Sequence, residues 1–318
     1  MLKNIYSEKV MSKLGNNLNC NSFKYVLFPK FIFLCGKKFD DDEEYKNSNR
    51  GIIDTYFKEK LSTSYVILSE KLWTRGFFDS IDLLTFEEFL AEVSDYIILF
   101  VESYGSACEL GAFTFADEDL LMKKLIIIIN KEFENDESFI NQGPVAKAIR
   151  ENAKVLFLDF NKAILMSNEL VDLLNSIIKE MKNIDKKNKR LINKNENKVL
   201  LNSFIVEILE IIKIMQPVKF IDVLEMYKYL KKFSSFSFVK TNGKSFNKEI
   251  KLEYIKKLLV HNGLISIDEN EYIRMSEKCY THFLENENNN SLMFTFSEKD
   301  FNRIRSLILT RKYKNKEL

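Results

Sequence analysis

An α/β fold followed by a mostly helical unit is predicted from three observations. Between residues 31 and 158, five short and almost wholly apolar runs alternate with helix-patterned stretches, as expected of strands buried on both faces of a parallel sheet. Only 3 prolines and 9 glycines occur in 318 residues, too few for a turn-rich all-β protein. The charge also divides: residues 1–150 carry a net −6 and the remainder +8, within a total of +2. Unless that imbalance is incidental to a lysine-rich chain, the halves serve different partners, with polyanion binding assigned to the second.

The strands are read in order as Phe31-Ile-Phe-Leu-Cys35, Ser64-Tyr-Val-Ile-Leu68, Asp95-Tyr-Ile-Ile-Leu-Phe-Val101, Lys124-Leu-Ile-Ile-Ile-Ile129 and Lys154-Val-Leu-Phe-Leu158. Helical patterns such as Phe86 to Val93 separate them. In such sheets ligands bind beyond the carboxyl ends of the strands. Those ends are Cys35-Gly36, Val101 to Ser106 and the loop after Asn130. From Asn183 the text turns polar and basic without apolar periodicity, a linker or an exposed helix extension. Beyond it come helices at Phe204 to Met215, Lys219 to Lys232 and Ile250 to Val260. Gly263 stops the last of these. Two short strands, ending at Ile267 and spanning Tyr272 to Met275, then flank a polar turn, and a helix starts near Ser276. Three parts follow: residues 1–180, a basic linker or helix extension at 181–198, and residues 199–318.

The opening residues carry charges and no apolar h-region, and no apolar run approaches the roughly 18 residues of a membrane span. A cytoplasmic protein without membrane contact is expected. Four scattered cysteines without a C-x-x-C fit free thiols. Both histidines, His261 and His282, fall late in the chain, so acid–base chemistry in the first half must use carboxylates, and no metal is expected there.

The segment richest in chemistry is Glu102-Ser-Tyr-Gly-Ser-Ala-Cys-Glu109-Leu-Gly111, which follows the third strand and opens a helix. Gly105 would permit a sharp turn, and Gly111 a close approach of helix to sheet. With Ser106 opening the helix, Glu109 falls in the first turn, where the helix field favours its ionised form by about 0.3–1 kcal/mol. An ionised glutamate at that edge could attack an anomeric carbon or stabilise an oxocarbenium ion. Ser106-x-x-Glu109 is equally a capping box, and on pattern alone capping is the commoner role. Glu102 and Glu87 are candidates for a second acid; alternation turns Glu102 to the opposite face, and a solvated helix position is favoured for Glu87. Cys108 is read as buried packing.

Ile32-Phe-Leu-Cys-Gly36, Asp95 to Phe100, Gly105-Ser106, Glu109-Leu-Gly-Ala-Phe113, Lys123 to Ile126 and Ser138-Phe-Ile-Asn141-x-Gly143-Pro-Val145 together resemble the nucleoside deoxyribosyltransferase-like superfamily. More closely, they resemble the ribosyltransferase/DNA-binding effectors of retrons, the bacterial anti-phage systems. The resemblance covers about residues 30 to 146. It implies a Rossmann-like parallel-sheet domain followed by a winged-helix-like domain that binds DNA or a partner. It further implies that Glu109 is the nucleophile or oxocarbenium-stabilising carboxylate. Cys35 and Gly36 would lie in a loop closing over the sugar or phosphate, Gly105 and Ser106 would offer backbone N–H groups, and Asn141 and Gly143 would form a further pocket loop. The implied partners are a reverse transcriptase and its multicopy single-stranded DNA (msDNA), with higher-order assembly an added feature of the group. NAD+ is the implied substrate, and no cofactor is called for.

One position departs from the transferases. They carry an aspartate six residues before the nucleophile, and Ser103 stands there. A serine exchanges no proton near neutral pH, whereas nicotinamide leaves a cationic ring as a neutral molecule and needs no acid. The change therefore suits NAD+ hydrolysis better than base exchange. The alternatives are a non-catalytic nucleotide-sensing DNA-binding regulator, for which Ser103 also speaks, and a ribosyl- or ADP-ribosyltransferase acting on a macromolecule. In the second half, Lys251, Lys256, Lys257 and Arg274 are candidate phosphate contacts. Glu249, Glu253 and the Asp268 to Glu271 turn weaken that case and leave a protein-docking role equal to it.

Overall fold

The computed structural model describes residues 8–16, 29–61, 64–73, 81–115, 119–182, 197–240, 243–246, 249–285, 294 and 297–314. Two compact units emerge: Pro29–Asn183, and Ile184–Leu318 together with Met1–Phe28. Helix α1 (Glu8–Asn16) thus groups with the second unit, whereas the division at 1–180 had assigned it to the first. The reason is local. Val10, Met11 and Leu14 form a buried stripe, and the helix packs against the chain's last described helix, Glu298–Lys314.

The unit Pro29–Asn183 runs β1 (Lys30–Cys35), α2 (Asp42–Asn47), α3 (Asn49–Lys60), β2 (Ser64–Ile67), α4 (Ser69–Leu72), α5 (Leu83–Val93), β3 (Tyr96–Val101), α6 (Tyr104–Phe115), α7 (Asp119–Lys124), β4 (Leu125–Asn130), α8 (Ala146–Arg150), β5 (Lys154–Leu158) and α9 (Asn168–Lys182). All five strands are parallel, in the order β2-β1-β3-β4-β5. Each of the five apolar runs is therefore a strand, displaced by at most a residue or two.

Alternation along the strands sorts the two faces. Ile32, Leu34, Ile98, Phe100, Ile126 and Ile128 face α3 and α9, meeting Ile53, Phe57, Leu170 and Leu174 in one buried cluster. Phe33 points the other way, edge-on to Phe113 of α6 at 6.2 Å. From β1 the chain turns to one side for β2 and then crosses to the other for β3. At such a reversal, here the carboxyl ends of β1 and β3, sheets of this kind open a crevice and take their ligands. Capping fixes the helices around it: Ser48 accepts from the Gly51 N–H at the start of α3, and Asp82 from the Thr85 N–H at the start of α5.

In the second unit come β6 (Lys198–Leu200), α10 (Leu201–Met215), β7 (Val218–Lys219), α11 (Phe220–Lys231), β8 (Ser237–Val239), α12 (Leu252–His261), β9 (Ile265–Ile267), β10 (Tyr272–Met275), α13 (Glu277–Glu285) and α14 (Glu298–Lys314). Strands β7, β10 and β9 form an antiparallel sheet in that order, and β6 pairs in parallel with β8. Of these five strands, only the hairpin β9–β10 was legible as an alternating pattern. Gly263, at φ +65°, ends α12 as its position implied. Residues 183–196 of the basic segment lie outside the described residues. No described helix is long and apolar enough to cross a membrane.

Candidate active site

Charged side chains converge at the carboxyl end of β1. Arg50, on α3, is 1% exposed. Its guanidinium donates to Leu34 O (2.9 Å) and Lys37 O (2.6 Å), and pairs with Glu70 of α4 at 2.8 Å. From the end of β3, Glu102 Oε1 accepts the Lys37 N–H at 3.1 Å. The turn after β1 is thus held from two sides. Gly36 lies between them at φ +147°, and a Cβ there would stand 2.8 Å from Arg50 Cδ and 3.1 Å from Glu102 Oε1. Only glycine fits.

Glu109 sits on α6 directly across from Glu87 of α5. The two carboxyls lie close enough to influence each other's charge, and Ser69 lies beside Glu87. Oε2 of Glu109 is buried and has no hydrogen-bond partner. Two buried carboxyls this close keep a proton more readily than they hold two charges. Burial is the main cause that raises both. Glu109 is pushed up to about 8, reinforced by the neighbouring Glu87 charge and opposed by Arg50. Glu87 is pushed up to about 7, with its neighbours Ser69 and Glu109 opposing. The pair titrates as a unit. Burial also raises Glu102, against the Lys37 N–H bond and the charge of Arg50.

The capping alternative is settled by the start of α6. The helix begins two residues earlier than expected, and Ser103 is its N-cap. Ser103 Oγ accepts the Ser106 N–H at 3.1 Å, while Ser106 Oγ accepts the N–H groups of Glu102 (3.0 Å) and Ser103 (2.9 Å). The box is Ser103-x-x-Ser106, so Glu109 has no capping task. It therefore falls in the second turn, where the helix field is weak. The expectation of a carboxylate kept ionised by the helix is corrected, since burial dominates.

Other expectations are redrawn. Glu87 is 4% exposed, not a solvated helix residue. Ser106 commits its N–H and its hydroxyl to the cap, so its N–H does not face a substrate. Gly105 has no left-handed φ and makes no sharp turn, and a Cβ on Gly111 would meet nothing within 4 Å, so no close helix–sheet contact depends on it. Cys35 is the buried last residue of β1 rather than part of a loop, and its thiol is raised by burial and then by Glu109 and Glu87. Cys108 is exposed, not packed. Asn141 and Gly143 occupy a π-helical turn, Asn141–Val145, packed beside α6. The Asn141 amide donates to Phe133 O (2.6 Å) and Asp136 O (2.9 Å), tying down the loop after β4.

Arg50, Ser69 and Glu70 were missed. Arg50 shares its helical stripe with Ile53, Asp54 and Phe57, and a charge on a core-facing stripe is the signal that could have found it. Ser69-Glu70 directly follows β2, the same edge position as Cys35-Gly36 on β1. In the second unit, Lys251 is exposed at the N-cap of α12, and Arg274 is exposed on β10. Lys256 and Lys257 are half-buried; Lys256 lies over the Phe220 ring and 4.0 Å from Glu253, and burial lowers Lys257.

The profile of the STM3845 retron effector protein family matches residues 46–267. The chain is 31% identical over 210 residues to an Escherichia coli retron Ec86 protein that carries the provisional name ribosyltransferase/DNA-binding protein, covering 63% of this chain and 62% of that relative. It is 36% identical over 129 residues to the retron Ec73 protein of the same provisional name from Escherichia coli, 39% of each chain. The matches thus span less than two thirds of either relative.

Two outcomes follow from the geometry. A carboxyl whose folded-state pKa is raised binds more protons folded than unfolded, so stability is fullest at low pH and is lost as pH climbs through the folded value. From the ordinary 4.5 to about 7 and about 8, urea midpoints should therefore decline with rising pH, and decline less in Glu87→Gln. Parallel declines in both proteins would exclude the shared proton. Arg50→Met should destabilise by about 3 kcal/mol, because it strips the partner from Glu70 and from two carbonyls; urea unfolding at fixed pH measures it.

Proposed function

Because the chain belongs to the STM3845 retron effector protein family, we propose that it is an anti-phage effector that cleaves the N-glycosidic bond of NAD+ or a related nucleotide. The observation that carries this reading is the Glu87–Glu109 pair at the β1/β3 crevice, with one oxygen of Glu109 buried and unengaged. A carboxylate nucleophile with a second carboxyl beside it to take the water's proton is one route to glycosidic cleavage. The α/β unit is then nucleoside deoxyribosyltransferase-like, and Glu109 supplies the anionic oxygen facing the anomeric carbon.

Cleavage breaks the bond between C1′ and the nicotinamide nitrogen, and the electron pair leaves with neutral nicotinamide. Glu109 forms an ester with C1′ or holds the oxocarbenium ion. Water then adds at C1′ and gives its proton to Glu87, restoring Glu109. Ser103 caps α6 and leaves no acid at the position the transferases use, which suits a leaving group that needs none. The second unit is read as winged-helix-like. Its order of α10, β7, α11, α12, β9 and β10, with a sheet ordered β7-β10-β9, supports that reading. The relatives' shared name joins ribosyltransferase to DNA binding, and the basic second half of this chain suits a DNA-bearing partner. A reverse transcriptase with its msDNA is that partner, holding the enzyme idle until infection disturbs the complex.

Purified protein incubated with NAD+ should release nicotinamide, and Glu109→Gln should lower turnover at least about a thousandfold. Equal turnover by both proteins would strip Glu109 of the role. Glu87→Gln should cost about a hundredfold, as for a lost general base. With NAD+, kcat/KM should rise until Glu109 has lost its proton, near 8, and then stay level. A nucleoside, whose base needs an acid, should instead lose activity once the pair has given up its last proton. A falling limb with NAD+ would reassign the substrate class.

A further inference from the structure

Between Glu225 and Glu249 the chain carries six lysines, six aromatic residues and no aspartate or glutamate. The structure folds this run into the end of α11, a left-handed Lys232 (φ +60°), β8 and a bridge between Val239 and Ser245. Phe204 and Tyr227 are fully buried and form a floor. On it lie Phe233, Phe236 and Phe238, all half-buried, with centroid separations of 6.3 Å (Phe233 to Phe236) and 5.4 Å (Phe236 to Phe238). Exposed Ser234, Ser235 and Ser237 alternate with these rings. Around the row, Lys228 pairs with Glu225 and Lys231 with Glu207, and Lys240 is buried beside Phe246. Lys232 and Lys244 stay exposed.

We infer that this row of phenylalanines, edged by Lys232 and Lys244, is a platform for single-stranded DNA. The inference rests on the reading that the second unit binds DNA, and it names the form of DNA and the surface. A lysine-rich run without an acidic residue points to a phosphate backbone rather than a protein of mixed charge. Aromatic rings left partly accessible suit unstacked bases, which a duplex hides. Helix α12 fits less well. Its Lys256 and Lys257 are partly withdrawn from solvent, its exposed face includes Glu253 and Val260, and an acidic turn precedes Arg274.

The full chain is titrated into a labelled 20-nucleotide oligo-dT and a labelled duplex of equal length, from 50 to 200 mM salt, with anisotropy as readout. Oligo-dT should bind more tightly than the duplex. In K232E/K244E the slope of log K against log salt should shrink by about 1.4, two phosphate contacts of about 0.7 each. K251E/R274E, a change of equal charge, should leave the slope nearly intact. F233L keeps apolar bulk but loses the ring face, and should bind about tenfold more weakly with its slope retained. Thermal unfolding checks that each variant is folded; if F233L is not, the lysine pair still decides. A tighter duplex, or slope lost in K251E/R274E but kept in K232E/K244E, overturns the platform and spares the DNA-binding reading. No binding of either nucleic acid at 50 mM salt overturns both.

Discussion

The α/β unit is organised around one buried cation. Arg50 is almost wholly removed from water, yet it reaches two carbonyls of the β1 turn and the carboxylate of Glu70. A guanidinium can do this because its planar fork presents several donors in fixed directions, which a lysine cannot. The consequences run outward. The turn after β1 is pinned, Gly36 is forced into a backbone region and a space that exclude a side chain, and Glu102 closes the turn from β3. The same positive charge is what opposes the upward shift of Glu109. Without it, Glu70 would lose its partner and Glu109 a charge that opposes its upward shift.

The arrangement at the head of α6 solves a conflict between structure and chemistry. A helix start needs its first N–H groups satisfied, and a glutamate three residues into a helix is the usual provider. Here two serines do that work for each other, and the glutamate is released to face Glu87. The serine at the position where transferases carry an aspartate thus has a positive reason to be there. It is the cap of the helix that carries Glu109.

What was legible in the residues follows from the range over which each signal acts. Strands buried on both faces read as apolar runs, so all five strands of the parallel sheet were visible, and with them the edge where Glu109 lies. Glu87 could be seen only as one more charge on an amphipathic helix, because its burial is set by α6, a neighbour separated from it by a whole strand. Arg50 and Glu70 were lost for the same reason: their pairing joins two segments 20 residues apart. The short strands β6, β7 and β8 carry too few residues for alternation to register. The chain's first helix is amphipathic in plain view, but its docking partner lies at the far end of the sequence.

The carboxyl cluster also bears on which substrate suits the crevice. Glu70, Glu102 and Glu109 feel the charge of Arg50, which is already paired with Glu70, and Glu87 lies beside Glu109. At rest the excess is absorbed by protonation, since burial makes a proton cheaper to keep than a second charge. A neutral nucleoside would leave that proton in place and Glu109 blunted. A substrate carrying a positive ring beside its anomeric carbon supplies the missing counter-charge, and favours loss of the proton as it binds. For the cleavage proposed above, binding and activation of Glu109 would then be one event. Among ordinary nucleotides, a pyridinium ring on ribose meets that condition and a purine or pyrimidine base does not. For the proposed reaction, the burial of these carboxyls favours a cationic substrate independently of what stands at position 103.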